Sequence, residues 1–258
     1  MRITFLGTGT ALPTGDRFQT GLLLEQGGKT LLVDCGSGVL HGLARTSVGY
    51  EGVSSVLLTH HHLDHVADLL PLMKARWLAG EEHVEIAGPR GTKALVDDLL
   101  AVHDYLQDRL DLTVREIGPY GFEIGGFSVE GYETRHSMYC LAYRFEEVSE
   151  SSEARESESH GVFTFSGDSE AFTGLANFAD GSAVLAHDCS FPDSVDVSGH
   201  PTPAELGDAL SGNEIGRVYL THLYPHTDDR HEEMLESIGE RYDGDVRVAE
   251  DGLSVTIR

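Results

Sequence analysis

The stretch SSVLLTHHHLDHVADLLP, residues 54–71, runs from an apolar, β-branched segment straight into three histidines, an aspartate and a fourth histidine. A strand ending at Thr59 and continuing as an extended loop puts His60 and His62, two residues apart, on the same side. Asp64 and His65 follow on the turn into the next segment and face a second point a few ångströms away. Histidine nitrogens and a carboxylate oxygen in about four positions suit Zn²⁺. Two such ions roughly 3.5–4 Å apart would clamp the attacking and leaving oxygens of a hydrolysis. Three further strand-like runs end on a metal-capable side chain: FSVEGYETRH on His136, GVFTFSGD on Asp168 and RVYLTH on His222. Ligand sites gather at one end of a sheet in this way. One such residue alone is more often structural; beside the 60–65 cluster the reading is joint metal binding.

Around this centre the chain alternates strands and helices without a short repeat. β-branched enrichment or alternation bounded by Gly, Asp and Ser predicts strands at 2–6, 20–26, 29–34, 54–59, 83–87, 112–117, 127–134, 140–146, 162–166, 183–187, 216–221, 246–249 and 253–257. EQGGKT, 25–30, reads as a hairpin turn. Helices are predicted at 71–79, 91–108, 202–211 and 229–242. TPAEL, 202–206, offers a Thr N-cap, Pro at the first helical position and Glu205 at N3. Pro71 places the start of the helix after the histidine cluster, with the cluster in the preceding loop. Many strands and few helices fit two packed sheets with helices outside. The Ser/Glu-rich run 146–161 has almost nothing to bury and is expected to be an acidic surface loop joining two strands.

The 258 residues suffice for a sizeable core, and residues 1–258 are read as a single domain, although length alone also allows two. No run of about 20 apolar residues occurs, and the N-terminus lacks the features of a signal peptide. Three cysteines (Cys35, Cys140, Cys189) show no pairing pattern. A cytoplasmic protein without membrane attachment is expected. The charge is extreme: 43 Asp+Glu against 18 Lys+Arg, net −25, with only three lysines. Such a charge bears on solubility and partners rather than fold. One reading is repulsion of polyanions. The favoured one is a halophilic protein, its acid spread along the chain as in haloarchaeal proteins; near-molar salt shortens the Debye length to about 3 Å and screens self-repulsion. Acidity then counts only weakly against a nucleic-acid substrate.

THHHLDH, followed by His136, Asp168 in SGD and His222 in LTHL, resembles the metallo-β-lactamase superfamily, which carries H-x-H-x-D-H and then His, Asp and His at later strand ends. The resemblance spans the chain from GTGTALP to AEDGLSVTI. It implies an α/β fold of four layers, αββα, with two mixed sheets, outer helices and a dinuclear site between the sheets. It implies that His60, His62 and His136 hold one divalent ion, that Asp64, His65 and His222 hold the other, and that Asp168 bridges them. Zn²⁺ is expected, with Mn²⁺ as the alternative. His61 fills a variable position and is expected to be a bystander. A water or hydroxide shared by the two ions would be the nucleophile, with Asp64 orienting it or taking its proton.

Superfamily membership leaves the substrate open. LAHDCSFPD (185–193) and SGHPTPAEL (198–206) resemble the H-E-A-T and H-S-T motifs of the ribonuclease Z branch. The branch implies that His200 donates a proton to the leaving oxygen, supported by Asp188. A helix-entry role for His200 and a plain turn role for Asp188 are the structural alternatives. Two departures weigh against full-length pre-tRNA. Nucleases that mature tRNA 3′ ends carry a tRNA-gripping arm, and only 31 residues separate His136 from Asp168 here. The branch's basic motif after the histidine cluster is faint, surviving as Lys74 and Arg76 in PLMKAR. The expectation is an armless, ribonuclease Z-like phosphodiesterase acting on a small phosphodiester or RNA. It forms no stable nucleic-acid complex, and homodimerisation is open. A carboxylic ester, thioester or lactone hydrolase of the same fold is the alternative; a metal-holding protein without turnover is less favoured. GTGT (7–10) lacks dinucleotide-binding spacing and reads as a turn under the site; Cys140 and Cys189 read as small buried hydrophobes. No G-x-S-x-G nucleophile elbow occurs.

Overall fold

The computed structural model describes residues 1–147, 161–195 and 197–257. The first sheet is built from β1 (Arg2–Gly7), β2 (Gly21–Gln26), β3 (Lys29–Val33), β4 (Ser55–Leu57), β5 (His83–Gly88) and β6 (Asp111–Glu116), closed by the last strand, β14 (Ser254–Thr256). The second contains β7 (Gly121–Ile124), β8 (Phe127–Glu133), β9 (Leu141–Glu147), β10 (Phe163–Phe165), β11 (Val184–Asp188), β12 (Val218–Thr221) and β13 (Val246–Val248). Their orders are β14-β1-β2-β3-β4-β5-β6 and β13-β12-β11-β10-β9-β8-β7. Each sheet is mixed: β3 to β6 pair in parallel in one, and β10 to β13 in the other.

Three apolar clusters account for the layers. Phe5, Leu24, Leu31, Val129, Tyr143, Phe145, Phe163 and Tyr219 fill the space between the sheets. Leu23, Leu32, Val56 and Ile86, alternating with those inward residues, face outward onto α1 (Val39–Leu43), α3 (Leu69–Ala79) and α4 (Thr92–Val102). Leu185, Val218 and Leu220 do the same beneath α5 (Thr173–Ala179), α6 (Pro203–Leu210) and α7 (His231–Gly239). A strand with two buried faces must be apolar on consecutive residues, which is why SVLL and LLL read as runs. The result is the expected αββα arrangement. Each fully buried Leu or Phe contributes roughly 1.5–3 kcal/mol of transfer free energy.

Several boundaries differ from the sequence reading. β4 ends at Leu57, two residues short of Thr59, because Leu58 and Thr59 hand their backbone bonds to Ala87 and Asp34. The helix after the cluster begins at Leu69, with Pro71 at its third position. The cluster is only partly loop: Asp64 and His65 lie in a single helical turn, α2 (Leu63–Val66). Helix 91–108 stops at Val102 and continues as a 3₁₀ turn, Asp104–Leu106. Two short helices, α1 and α5, and the strand β7 carry too little periodicity for the sequence to show them. At 202 the start signal is realised fully: Thr202 accepts from Glu205 N, and the Glu205 side chain accepts from Thr202 N. The acidic run predicted at 146–161 lies almost entirely outside the described residues; 146 and 147 end β9. No helix among the described residues is long and apolar enough to cross a membrane.

Candidate metal centre

The candidate metal ligands and the Asp188–His200 pair come to one end of the sandwich. His60 and His62 follow β4, and Asp64 and His65 ride on α2. His136 follows β8, Asp168 follows β10 and His222 follows β12. Asp188 is the last residue of β11, and His200 lies in the loop before α6. The α2 turn can press against the loop after β3 only because residue 36 is glycine: a Cβ there would sit 2.0 Å from the Asp64 carbonyl oxygen. That contact lets Cys35 N donate to His65 O at 2.7 Å.

The donor atoms form two adjoining sets. His60 Nε2 lies 3.0 Å, and His136 Nε2 3.1 Å, from His62 Nδ1. Asp64 Oδ2 lies 3.2 Å from His222 Nε2 and 3.9 Å from His65 Nε2. Asp168 borders both sets: its Oδ2 is 3.6 Å from His60 Nε2 and 3.3 Å from His222 Nε2, and its Oδ1 is 3.2 Å from His65 Nε2. Within each group of potential ligands the donor atoms lie within 4.8 Å of one another.

The other ring nitrogens fix the tautomers. His65 Nδ1 donates to Asp34 Oδ2 at 2.7 Å. His60 Nδ1 lies 3.0 Å from Thr59 Oγ1, whose own proton goes to the same Asp34 oxygen at 2.8 Å. His136 Nδ1 donates to Gly199 O at 3.1 Å. Three imidazoles therefore aim a lone pair at the centre. The lone pairs of His60 and His136 face a His62 nitrogen, which holds one proton at most. With Nδ1 carrying the His65 proton, His65 Nε2 and Asp168 Oδ1, both buried, meet only each other's lone pairs among the described residues. Buried lone pairs and an orphaned carboxylate oxygen are costly unless a cation accepts them. The residues present fit divalent metal ions.

The charges of these groups act strongly on one another. Burial, reinforced by His65, pushes His60 well below the usual histidine range. Burial opposes charge on His65 and His222, but the surrounding carboxylates together outweigh it and raise both: Asp168 with Asp34 for His65, and Asp168 with Asp188 and Asp64 for His222. Burial would raise Asp168 as well, yet the His222, His65 and His60 rings hold it well below the usual carboxylate range.

Beside the two sets, His200 Nδ1 donates to Asp188 Oδ2 at 2.7 Å. Burial would raise Asp188, but the His200 charge and hydrogen bond hold it down to about 2. Burial would lower His200; Asp188 raises it. Ser190 Oγ donates to Asp188 Oδ1 at 2.6 Å and lies 3.0 Å from His222 Nδ1. One buried carboxylate thus orients His200 directly and His222 through a hydroxyl.

Three placements separate candidates from neighbours. His61 turns away and bonds Thr92 Oγ1 at 2.8 Å. Arg76 is buried and donates to the carbonyls of Tyr50, Glu51 and His83, while Lys74 lies over the Tyr105 ring at 4.2 Å. Neither cation of PLMKAR belongs to the donor cluster. The GTGT segment is the turn beside the site: Thr8 O accepts Leu223 N at 2.9 Å, next to His222. Cys140 and Cys189 are buried, with thiols pushed up by burial.

The sequence reading missed Asp34, Thr59 and Ser190 as orienting groups. Asp34 carried a usable signal, because LLVDCG is another buried strand running out onto a carboxylate. Asp34 and His222 both have left-handed backbones, φ 60° and 56°, an uncommon conformation for residues other than glycine.

Residues 1–239 match the family described as anti-Pycsar protein Apyc1. A ribonuclease Z from Methanopyrus kandleri is 32% identical, over 98% of this chain and 97% of that protein. The chain belongs to the ribonuclease Z-like family of metallo-β-lactamase-fold hydrolases. Among solved structures, the metallo-β-lactamase fold protein YhfI from Bacillus subtilis superposes with a TM-score of 0.80 at 25% identity, covering 99% of each chain. The short form of human tRNase Z gives 0.77 at 19%, covering all of both chains, and supports the fold. This ribonuclease Z-like chain is therefore a metal-dependent hydrolase. Between His136 and Asp168, where the sequence expects no substrate-gripping arm, the described residues are β9 and β10; 148–160 lie outside them.

Proposed function

We propose that the chain is a dinuclear, zinc-dependent phosphodiesterase acting on small phosphodiesters or RNA ends, with residues 1–258 working as one unit because the donors come from both sheets. His60, His62 and His136 would hold one ion, Asp64, His65 and His222 the other, and Asp168 would touch both. Divalent ions held there would supply Lewis-acid chemistry, activating water and stabilising charge that develops on the scissile group.

The protein supplies the rest. Asp34 and Ser190 hold the rings in the tautomers that face the centre. Asp64 would accept a proton from the attacking water. His200, whose pKa Asp188 raises, has Nδ1 committed to that carboxylate, so its Nε2 would offer a proton to a departing alkoxide. The Asp188–His200 pair is the observation that carries the phosphodiester reading: it supplies an acid for a poor leaving group, beyond what holding metal requires. The ribonuclease Z names of the similar proteins favour the same substrate class.

The test is hydrolysis of bis-p-nitrophenyl phosphate beside p-nitrophenyl acetate and a thioester, in molar salt, with elemental analysis. Phosphodiester turnover with about two zinc equivalents supports the proposal. Turnover confined to carboxylic esters overturns it in favour of the esterase reading, and fewer than one metal equivalent removes the dinuclear site. Size-exclusion chromatography of the same sample reads whether two copies associate, and localisation of the tagged chain reads the expected cytoplasmic address.

A further inference from the structure

His200 has aromatic company that the chemistry above does not use. Phe191 and Tyr224 stack face to face, 4.6 Å between ring centroids at 23°. Tyr224 meets His200 and His222 edge-on at 6.0 Å each, and Phe191 meets His200 at 6.1 Å. His226 extends the group outward, 5.4 Å from Phe191. Burial is graded along it: Phe191 is buried, Tyr224 half-buried and His226 exposed.

The Tyr224 ring is held by its backbone. Its carbonyl accepts from both Thr227 N and Thr227 Oγ1, which closes the Pro225–Thr227 turn. Its hydroxyl has no hydrogen-bond partner among the described residues. Nearby loops add exposed aliphatic side chains. Val197 is in the turn that receives His200 N, and Leu12 is in the loop whose Gly9 bridges to Leu223.

A rigid aromatic wall beginning at the acid's own ring has a directional consequence. The group that protonates the leaving oxygen must lie beside it, so the body of the leaving alcohol is brought against whatever borders that group. Flat π-surfaces backed by a second ring are what nucleobases stack on, with little sequence preference.

We propose that Tyr224, backed by Phe191, is the specificity-determining residue on the leaving-group side and stacks the base of a nucleoside attached through the departing oxygen. This rests on the phosphodiesterase reading, in which His200 faces that oxygen.

Titration calorimetry of the metal-loaded protein with AMP, ribose 5-phosphate and inorganic phosphate tests it. The first two share the phosphate and ribose and differ in the base. AMP is expected to bind about tenfold or more tighter than ribose 5-phosphate. Tyr224→Leu is expected to close that gap while ribose 5-phosphate keeps its affinity, and Tyr224→Phe to preserve it. Equal affinities in the unsubstituted protein overturn the proposal without any variant having to fold. A gap that survives in Tyr224→Leu, shown to be folded by its metal content, overturns it too. Bis-p-nitrophenyl phosphate hydrolysis by the same unsubstituted sample decides the phosphodiesterase reading separately: turnover without a base preference removes Tyr224's role alone.

Discussion

Asp188 and His200 stand 2.7 Å apart, the carboxylate fully buried at the end of β11 and the imidazole at the edge of the donor cluster. A buried carboxylate does not stay ionised without compensation, and here the compensation is the histidine itself. In the proposed mechanism the pair holds the proton that a leaving group needs.

Removing that proton should be felt according to leaving group. His200→Ala is expected to slow an alkyl or nucleoside leaving group about 10²–10⁴-fold. p-Nitrophenolate, which departs unprotonated, should lose much less. The imidazolium is present below its raised pKa and is lost as pH rises through it, so turnover of the alkyl substrate should fall on the alkaline side. Asp188→Asn should move that limb to lower pH, and His200→Ala should abolish it. Equal losses on both leaving groups would remove the acid role.

Asp34 touches no candidate substrate position, yet it sets two ligand rings. It accepts from Thr59 N, Thr59 Oγ1 and His65 Nδ1, and through Thr59 it governs His60. Asp34→Asn keeps the shape but puts an amide where these donors need an acceptor. Metal affinity should weaken about 10–100-fold, measured by competition with a chromogenic chelator. Unchanged affinity with altered turnover would place Asp34 in the reaction rather than in ring orientation.

Metal should also stabilise the fold, because His60 and His136 both turn a ring nitrogen on His62 Nδ1, which can donate to only one of them. A ligand present at a thousand times its Kd adds about 4 kcal/mol. For a chain of this size that corresponds to a rise in Tm on the order of 10 °C. Differential scanning calorimetry with EDTA, then with added Zn²⁺, reads it. A Tm indifferent to chelation would mean that the donors are satisfied within the protein.

The strength of the sequence signal followed the physics of each part. The layers were legible because strands buried on two faces must be apolar on successive residues, as in Leu22–Leu24 and Val56–Leu58. The donor cluster was legible because His60, Asp168 and His222 follow such runs and His62, Asp64 and His65 come within five residues of His60. What the sequence hid was partnership across distance. Nothing in LLVDCG says that Asp34 will meet His65, 31 positions on, since the meeting depends on Gly36 admitting the α2 turn. The stack of Phe191 and Tyr224 was hidden likewise, because its two rings come from different loops. Charge misled at one point. Arg76 reads as a remnant of a phosphate-binding motif, yet it faces the interior.

Arg76 supplies the last prediction. Its side chain is 1% exposed, and its guanidinium donates to Tyr50 O at 2.9 Å, Glu51 O at 2.6 Å and His83 O at 3.0 Å. It ties the segment before β4 to the start of β5, beneath α3. Arg76→Met keeps the length and the apolar stem but removes every donor, leaving three carbonyls to find water or remain unpaired. The expected cost is about 3 kcal/mol, a Tm fall of roughly 6–12 °C by thermal denaturation. Zinc content and KM for a phosphodiester should hold at a temperature where the variant is folded. A raised KM with undiminished Tm would instead restore Arg76 to substrate binding.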